Sequence, residues 1–286
     1  MSVNASLVKK LRDITGSGFS ICKEVLLESN GDLERAQDLL REKGQLIASK
    51  HFNRETFEGV VKTYIDHKKN IGVILEINCE TDFVAKNEIF NNFIFEIAAK
   101  ICDLELNTEN IDEFLKSSWQ ENDATTTVSQ ILNQKIALIG ENIIIRRIEK
   151  INAGENFLSS YVHSGGKIGV LLELNKNTNS DLDKDLCMQI AAMNPKFLSF
   201  ENIPEDFIKK EKNILMQLAI NEGKSPEIAK KMVEGKLKKT IKNLCLLDQE
   251  FIKESEISVK DYIENRDKNL KIIKFIRFKK GEQIDS

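Results

Sequence analysis

Apolar positions recur at helical spacing through the first part of the chain. Leu7, Val8 and Leu11 mark one helix, Ile21, Val25 and Leu26 a second, and Leu33, Ala36, Leu39 and Leu40 a third. Gly16 and Gly18 are expected where the first turn needs residues without a Cβ. Asp32 after Gly31 is placed to cap the third helix, and Gly44 is expected to stop it. Residues 45–58 (QLIASKHFNRETFE) lose the period and read as a linker with a domain boundary in it. From Gly59 the period shortens to that of strands: VVKTYID, a polar turn HKKN, then IGVILEIN, a β-hairpin pattern. DFVAKNEIFNNFIFEIAAKI follows as one expected helix, with Phe83, Phe90, Ile94, Ile97 and Ile101 on a stripe. Thr81 is placed to cap it, and Asp82 sits near the positive end of its dipole.

The same order returns: FLSSYVH, the turn SGGK, IGVLLELN and the helical DKDLCMQIAAM, with IGVILEIN at 71–78 matching IGVLLELN at 168–175. One α+β subdomain present twice is the simplest reading. After the shared strand the copies part. The first has Cys79, Glu80, Thr81, Asp82 and Phe83; the second has Lys176, Asn177, Thr178, Asn179 and Ser180, an ordinary polar loop. The acid and the aromatic are therefore not demanded by the subdomain fold.

Between the copies, residues 103–140 carry helical patterns broken by polar stretches such as QENDATTT. ILNQKIALIGENIIIRRIEKI then passes from helix to a β-forming run expected to bridge the halves. Residues 205–243 read as a helical hairpin. Ile208, Leu215 and Leu218 line one arm, Gly223, Ser225 and Pro226 make the turn, and Ile228, Met232 and Ile241 line the other. LKIIKFIRFKKGE closes the chain as a β-rich segment. The expected division is 1–50, a linker at 51–58, core subdomains at 59–140 and 141–265, and a C-terminal module at 266–286.

Composition narrows the function classes. The 286 residues are 41% hydrophobic and 30% charged, the balance of a soluble chain with more than one packed unit. A net charge of −3 gives no overall drive toward a nucleic-acid backbone. No long apolar run or targeting pattern is present, so a cytoplasmic protein with no membrane partner is expected. Five cysteines stand far apart and read as buried thiols, without disulfide or metal spacing. No cofactor is expected. The lysines at 230, 231, 236, 238, 239 and 242 have glutamates nearby and stand in a net acidic chain, and they read as a solvated helix face.

Two strings, LRDITGSGFSICK at 11–23 and EINCETDFVAK at 76–86, closely resemble the elongation factor Ts family, with further likeness in YVHSGGKIGVL, MVEGKLKK and FIRFKKGE. The linker is poorer in alanine and lysine than the family's usual one, and the stretch around 103–127 is longer than in compact members. The resemblance implies an N-terminal three-helix domain of the ubiquitin-associated type, a duplicated α+β core, and a protruding helical hairpin used for self-association in some members. A homodimer through that hairpin is thus a candidate. It implies guanine-nucleotide exchange on the GTPase elongation factor Tu, with no covalent chemistry. In the family the Thr81, Asp82, Phe83, Val84 stretch is pushed toward the GTPase's Mg²⁺, His163 touches its phosphate-binding side, and the small domain docks through its first signature, where Arg12 and Phe19 are the contact candidates. Without the resemblance, Phe83 on one wheel face with Phe90 and Ile97 reads as core packing, and His163 as a solvated turn residue.

Two other readings compete. An adaptor using the N-terminal helices to bind ubiquitin-like or other partner surfaces leaves EINCETDFVAK unexplained. A thiol hydrolase built from Cys79 and His163 lacks a nucleophile motif, and Cys79 alternates with Ile77 along an apolar strand as a buried thiol would.

Overall fold

The computed structural model describes residues 4–15, 17–105, 110–121, 124–178, 180–223 and 225–284. Gly16, Asn179 and the centre of the QENDATTT stretch, named above, lie outside them. Helices α1 (Ala5–Thr15), α2 (Phe19–Glu28) and α3 (Leu33–His51) enclose a small core of Val8, Leu11, Cys22, Val25, Leu26, Ala36 and Leu40. The Asp32 side chain caps α3 by accepting from Glu34 N and Arg35 N, and Gly31 takes the left-handed φ of +86° that the preceding turn requires. Gly18 does not meet the expectation of a required glycine. Its φ of −61° and ψ of 149° suit any residue, and a Cβ there would meet nothing.

Strands β1 (Glu58–Asp66) and β2 (Ile71–Cys79) form the first hairpin. The single helix expected next is two, α4 (Asp82–Ala85) and α5 (Glu88–Asp103), because Asn87 in extended conformation caps a new start by accepting from Ile89 N and Phe90 N. The break removes Phe83 from the apolar stripe. Phe90, Phe93, Ile94, Ile97 and Ile101 on α5 stay buried against β2.

After α6 (Ile111–Lys116), a small hairpin of β3 (Ser118–Glu121) and β4 (Ala124–Thr127) occupies part of the stretch read as broken helix. Helix α7 (Val128–Ile139) follows, opened by a capping box of Thr127 and Gln130. It overturns the expected stop at Gly44: α3 runs on to His51, and Ala36, Leu40, Gly44 and Ala48 are its buried residues at four-residue spacing. Gly44 packs from α3 against α7, an added Cβ coming 3.8 Å from Gln134 Cα, so it is a small residue in the helix seam and the expected linker begins as the last turns of α3.

Strand β5 (Ile143–Asn152) pairs antiparallel with β2, giving a first sheet of order β1-β2-β5. The first sheet therefore extends past residue 140, where the division was expected. Strands β6 (Phe157–Val162) and β7 (Ile168–Leu174) and helix α8 (Leu182–Met193) repeat the hairpin and helix. Helices α9 (Glu205–Asn221) and α10 (Pro226–Leu244) form the hairpin expected at 205–243, turning at Gly223 with φ +75°. Its buried seam is Ala219, Ala229 and Val233, whose small side chains let the helices approach. Leu218 and Ile228, expected to line it, are about half exposed. A short pair, β8 (Glu250–Phe251) and β9 (Glu254–Ser258), leads through α11 (Val259–Arg266) to β10 (Ile272–Lys279). Strand β10 is no separate module: it pairs with β7 and completes a second sheet of order β10-β7-β6.

The duplication is thus three strands and a helix in each copy, an α+β architecture. The two sheets pack face to face around Val61, Ile74, Leu158, Leu171, Ile276 and Phe278, while α5 and α8 cover the other faces. Burial on both faces accounts for the nearly unbroken apolar run of the repeated strand. No described helix is long and apolar enough to cross a membrane.

Candidate functional site

The packing of the sheets decides which end of the molecule gathers the sequence candidates. A Cβ on Gly72 would meet Leu171 and Leu158, and one on Gly169 would meet Ile74 and Val61, so β7 crosses β2 in the reverse sense. The turn after β6, which carries His163, therefore lies at the end where β2 finishes. Within that turn a Cβ on Gly166 would come 3.1 Å from Val60, and Val60 pairs with Ile77 near the end of β2. Lys280, just past β10, reaches the same end: its Nζ donates to Glu58 Oε2 at 2.6 Å and to Phe57 O at 3.2 Å.

From this end the segment 79–86 projects. Thr81 is extended and caps α4, its Oγ1 accepting from Val84 N at 3.4 Å. Asp82 is half-exposed and accepts from Lys86 Nζ at 2.7 Å. That bond and the lysine's charge hold its carboxyl below the ordinary carboxylate range. Phe83 is 81% exposed, whereas Val84 is buried in the first core beside Ala85. Of the four residues in the stretch, then, Val84 anchors, Thr81 caps, and Asp82 and Phe83 face outward.

The base of this projection is braced by side chains whose partners no local pattern announces. Helix α7 ends at Gly140 in the left-handed conformation, φ +83°, and the chain turns there so that Glu141 meets the 80–81 backbone. Its Oε2 accepts from Glu80 N at 3.1 Å and Thr81 N at 3.0 Å, and its Oε1 accepts from Thr81 Oγ1 at 2.6 Å. In return Glu80 Oε1 accepts from Asn142 N at 2.6 Å, and Asn142 Nδ2 donates to Phe52 O and Arg54 O at 3.3 and 2.8 Å. Desolvation raises the Glu80 carboxyl, but the Asn142 bond and the Arg54 charge outweigh it and leave it below its ordinary range. Three segments, 52–54, 80–81 and 141–142, are stitched together in this way. A glycine after a helix is a legible stop signal, but nothing local tells which backbone the next carboxylate will reach.

Phe52, Phe57 and Phe83 are the most exposed large apolar side chains among the described residues, at 77%, 72% and 81%. Phe52 and Phe83 stand on or next to the stitched segments, and Phe57 precedes Glu58, which pairs with Cys79.

His163 is exposed at the end of β6, its Nδ1 hydrogen-bonded to Tyr161 Oη at 3.0 Å. Arg12 and Phe19 are exposed on the three-helix unit; among the described residues neither shares a hydrogen bond, ion pair or ring contact with the 79–86 projection. Cys79 is fully buried and donates to Thr81 O, and burial with the Glu141 and Glu58 charges pushes its thiol up to about 12. A nucleophilic cysteine needs the opposite shift, so the arrangement does not support thiol chemistry. What it offers is an apolar ring and a carboxylate held out on a rigid base.

Residues 80–282 match the family model described as Elongation factor TS. The Elongation factor Ts of Clostridium perfringens (strain SM101 / Type A) is 42% identical over an alignment covering 99% of this chain and 94% of its own length. The protein of the same name from Clostridium novyi (strain NT) is also 42% identical with the same coverage. That of Halothermothrix orenii (strain H 168 / OCM 544 / DSM 9562) is 42% identical over 100% of this chain and 94% of its own.

Proposed function

The chain belongs to the elongation factor Ts family, and from that premise we propose that it is the guanine-nucleotide exchange factor of elongation factor Tu in translation, acting through the exposed tip at Asp82 and Phe83. Exchange requires no bond-making. The factor binds the nucleotide-free GTPase more tightly than the nucleotide-bound form, and linkage imposes the reciprocal loss of nucleotide affinity. A preference of about 4 kcal/mol lowers that affinity about a thousandfold while the factor is bound.

The observation that carries this reading is the exposure of Phe83 on a capped four-residue helix whose other apolar residues, Val84 and Ala85, are buried. Burying a phenylalanine ring in a partner is worth about 1.5–3 kcal/mol, a large share of the preference needed. Phe83 enters an apolar gap of the GTPase and shifts the elements that hold Mg²⁺, whose strict geometry around the phosphates makes it the natural lever. Asp82 adds negative charge beside that site, and Thr81 fixes the start of the helix. His163, at the same end of the sheets, approaches the phosphate-binding side. Phe52 and Phe57 widen the apolar surface there, while Arg12 and Phe19 dock the small domain elsewhere on the partner.

Stopped-flow release of fluorescent GDP from elongation factor Tu tests the wedge. Phe83→Ala is expected to slow stimulated release by about tenfold or more, from the ring burial lost. Undiminished release by a folded Phe83→Ala protein contradicts the proposal.

A further inference from the structure

We propose that Glu141 is a positioning residue for nucleotide release: its carboxylate, seated on Glu80 N, Thr81 N and Thr81 Oγ1, sets the direction in which α4 projects Asp82 and Phe83. The inference rests on the exchange reading above and assigns a role to a residue 60 positions away in the chain from the Thr81 N–H it accepts from.

Helix α4 has four residues, far too few to hold a helical turn by itself in water. Its orientation is set from outside. Val84 and Ala85 pin one face to the core, and Glu141 fixes the N-terminal entry with three donors between 2.6 and 3.1 Å. A bidentate carboxylate spanning two successive backbone N–H groups and the capping hydroxyl constrains direction as well as distance. The reciprocal bond from Asn142 N to Glu80 makes the joint two-sided, so neither loop can swing without breaking the other's contact.

The second copy of the subdomain shows that the shared fold does without this brace. Thr178 occupies the place of Thr81, and its hydroxyl turns onto Ser180 O and Asp183 Oδ1 within its own loop and helix start. Both threonine hydroxyls meet a carboxylate, but Asp183 comes from 5 positions away, whereas Glu141, in the copy that carries the exposed aromatic, comes from 60 and takes two backbone N–H groups as well. Because α7 bears Gly140 and packs on α3, the brace also ties the tip to the three-helix unit.

The test is a double-mutant cycle on stimulated GDP release, with Glu141→Ala, Phe83→Ala and the pair, each measured across a range of elongation factor Tu·GDP concentrations. Glu141→Ala is expected to lower the maximal release rate about tenfold, as misplacing a contact group does, with the concentration for half-maximal rate changed by less than about threefold. In the Phe83→Ala background the same change is expected to cost less than about twofold, because the group it positions is gone. Glu141→Gln, whose amide oxygen can accept both N–H groups while its NH₂ donates to Thr81 Oγ1, is expected to stay within about threefold of the parent. If Glu141→Ala fails to fold, Glu141→Asp, which keeps the charge but draws the carboxylate back from Glu80 N and Thr81 while leaving the Thr81 cap in place, carries the same cycle. A wild-type rate in Glu141→Ala, or losses that multiply in the double variant, overturn the role of Glu141 while leaving the Phe83 wedge standing. Undiminished release by Phe83→Ala alone instead refutes the exchange tip itself, and the positioning role with it.

Discussion

At the scale of single residues, Lys86 steadies the charge that Asp82 already carries at neutral pH. The hydrogen bond from Lys86 and the charge behind it depress the carboxyl below its ordinary value of 3.8. A group depressed in the folded state contributes stability at pH above its unfolded value and loses it as pH falls through the folded one. The Asp82–Lys86 pair is therefore intact throughout the neutral range and is lost only in acid below about pH 4. Lys86→Met is expected to return the Asp82 midpoint toward 3.8 in an NMR titration of the carboxyl carbon. Equal midpoints in the two proteins contradict the pairing. The identity of this tip was legible in the sequence because the two copies diverge there, and its exposure was not. Whether Phe83 joins the stripe of Phe90 and Ile97 depends on one event, the new cap at Asn87, and an asparagine inside an otherwise helical period is a weak local signal. Glu141 was hidden for a different reason: its acceptor role is set by tertiary contact alone.

Among the elements, α3 and α7 show how a local signal misleads. Gly44 sits where a stop is expected, yet the buried stripe Ala36, Leu40, Gly44 and Ala48 runs through it, because α7 packs along that face of α3. The space is not fully used. A Cβ on Gly44 would meet Gln134 Cα at 3.8 Å and Ala137 Cβ at 3.9 Å, ordinary contact distances, and the backbone is helical. Gly44→Ala is therefore expected to stabilise the protein by about 0.5–1 kcal/mol through helix propensity and a less flexible unfolded chain. A urea midpoint that falls instead contradicts this account of the seam. The helical hairpin was legible in its turn and its arms, from Gly223 to Pro226. Of its expected facing residues Leu215 packs against the seam, but the seam's centre is Ala219, Ala229 and Val233, because close approach selects small side chains over the largest apolar ones.

For the whole molecule, the repeated IGV…LELN strand was the most informative pattern, and its glycines are where the copies meet. Gly72 faces Leu171 and Leu158; Gly169 faces Ile74 and Val61. An added Cβ at Gly169 would lie 2.6 Å from Val61 Cγ1, on a side chain stiff at χ1, while at Gly72 it would lie 2.8 Å from a methyl of the more adaptable Leu171. Gly169→Ala is expected to destabilise by about 1–3 kcal/mol, and Gly72→Ala by less. Equal or reversed losses in denaturant unfolding contradict the packing described.

The third strand of each sheet was the least legible part of the architecture. Strands β5 and β10 come from segments far along the chain, and their β-forming character does not name a partner. Their joining is reinforced by Glu76, fully buried, which accepts from Arg146 and Arg147 on β5 and from Gly281 N beyond β10. The end of β2, which leads to the Phe83 tip, and the His163 turn lie at one end of the sheets, and the proposed exchange surface needs that shared end.

The most direct measurement is the release of fluorescent GDP from elongation factor Tu in excess unlabelled nucleotide, with this protein added in substoichiometric amount. The account predicts that all the bound nucleotide leaves at an accelerated rate, each molecule of the factor turning over many times. Release that keeps its intrinsic rate even when the factor is raised to saturating concentration contradicts it.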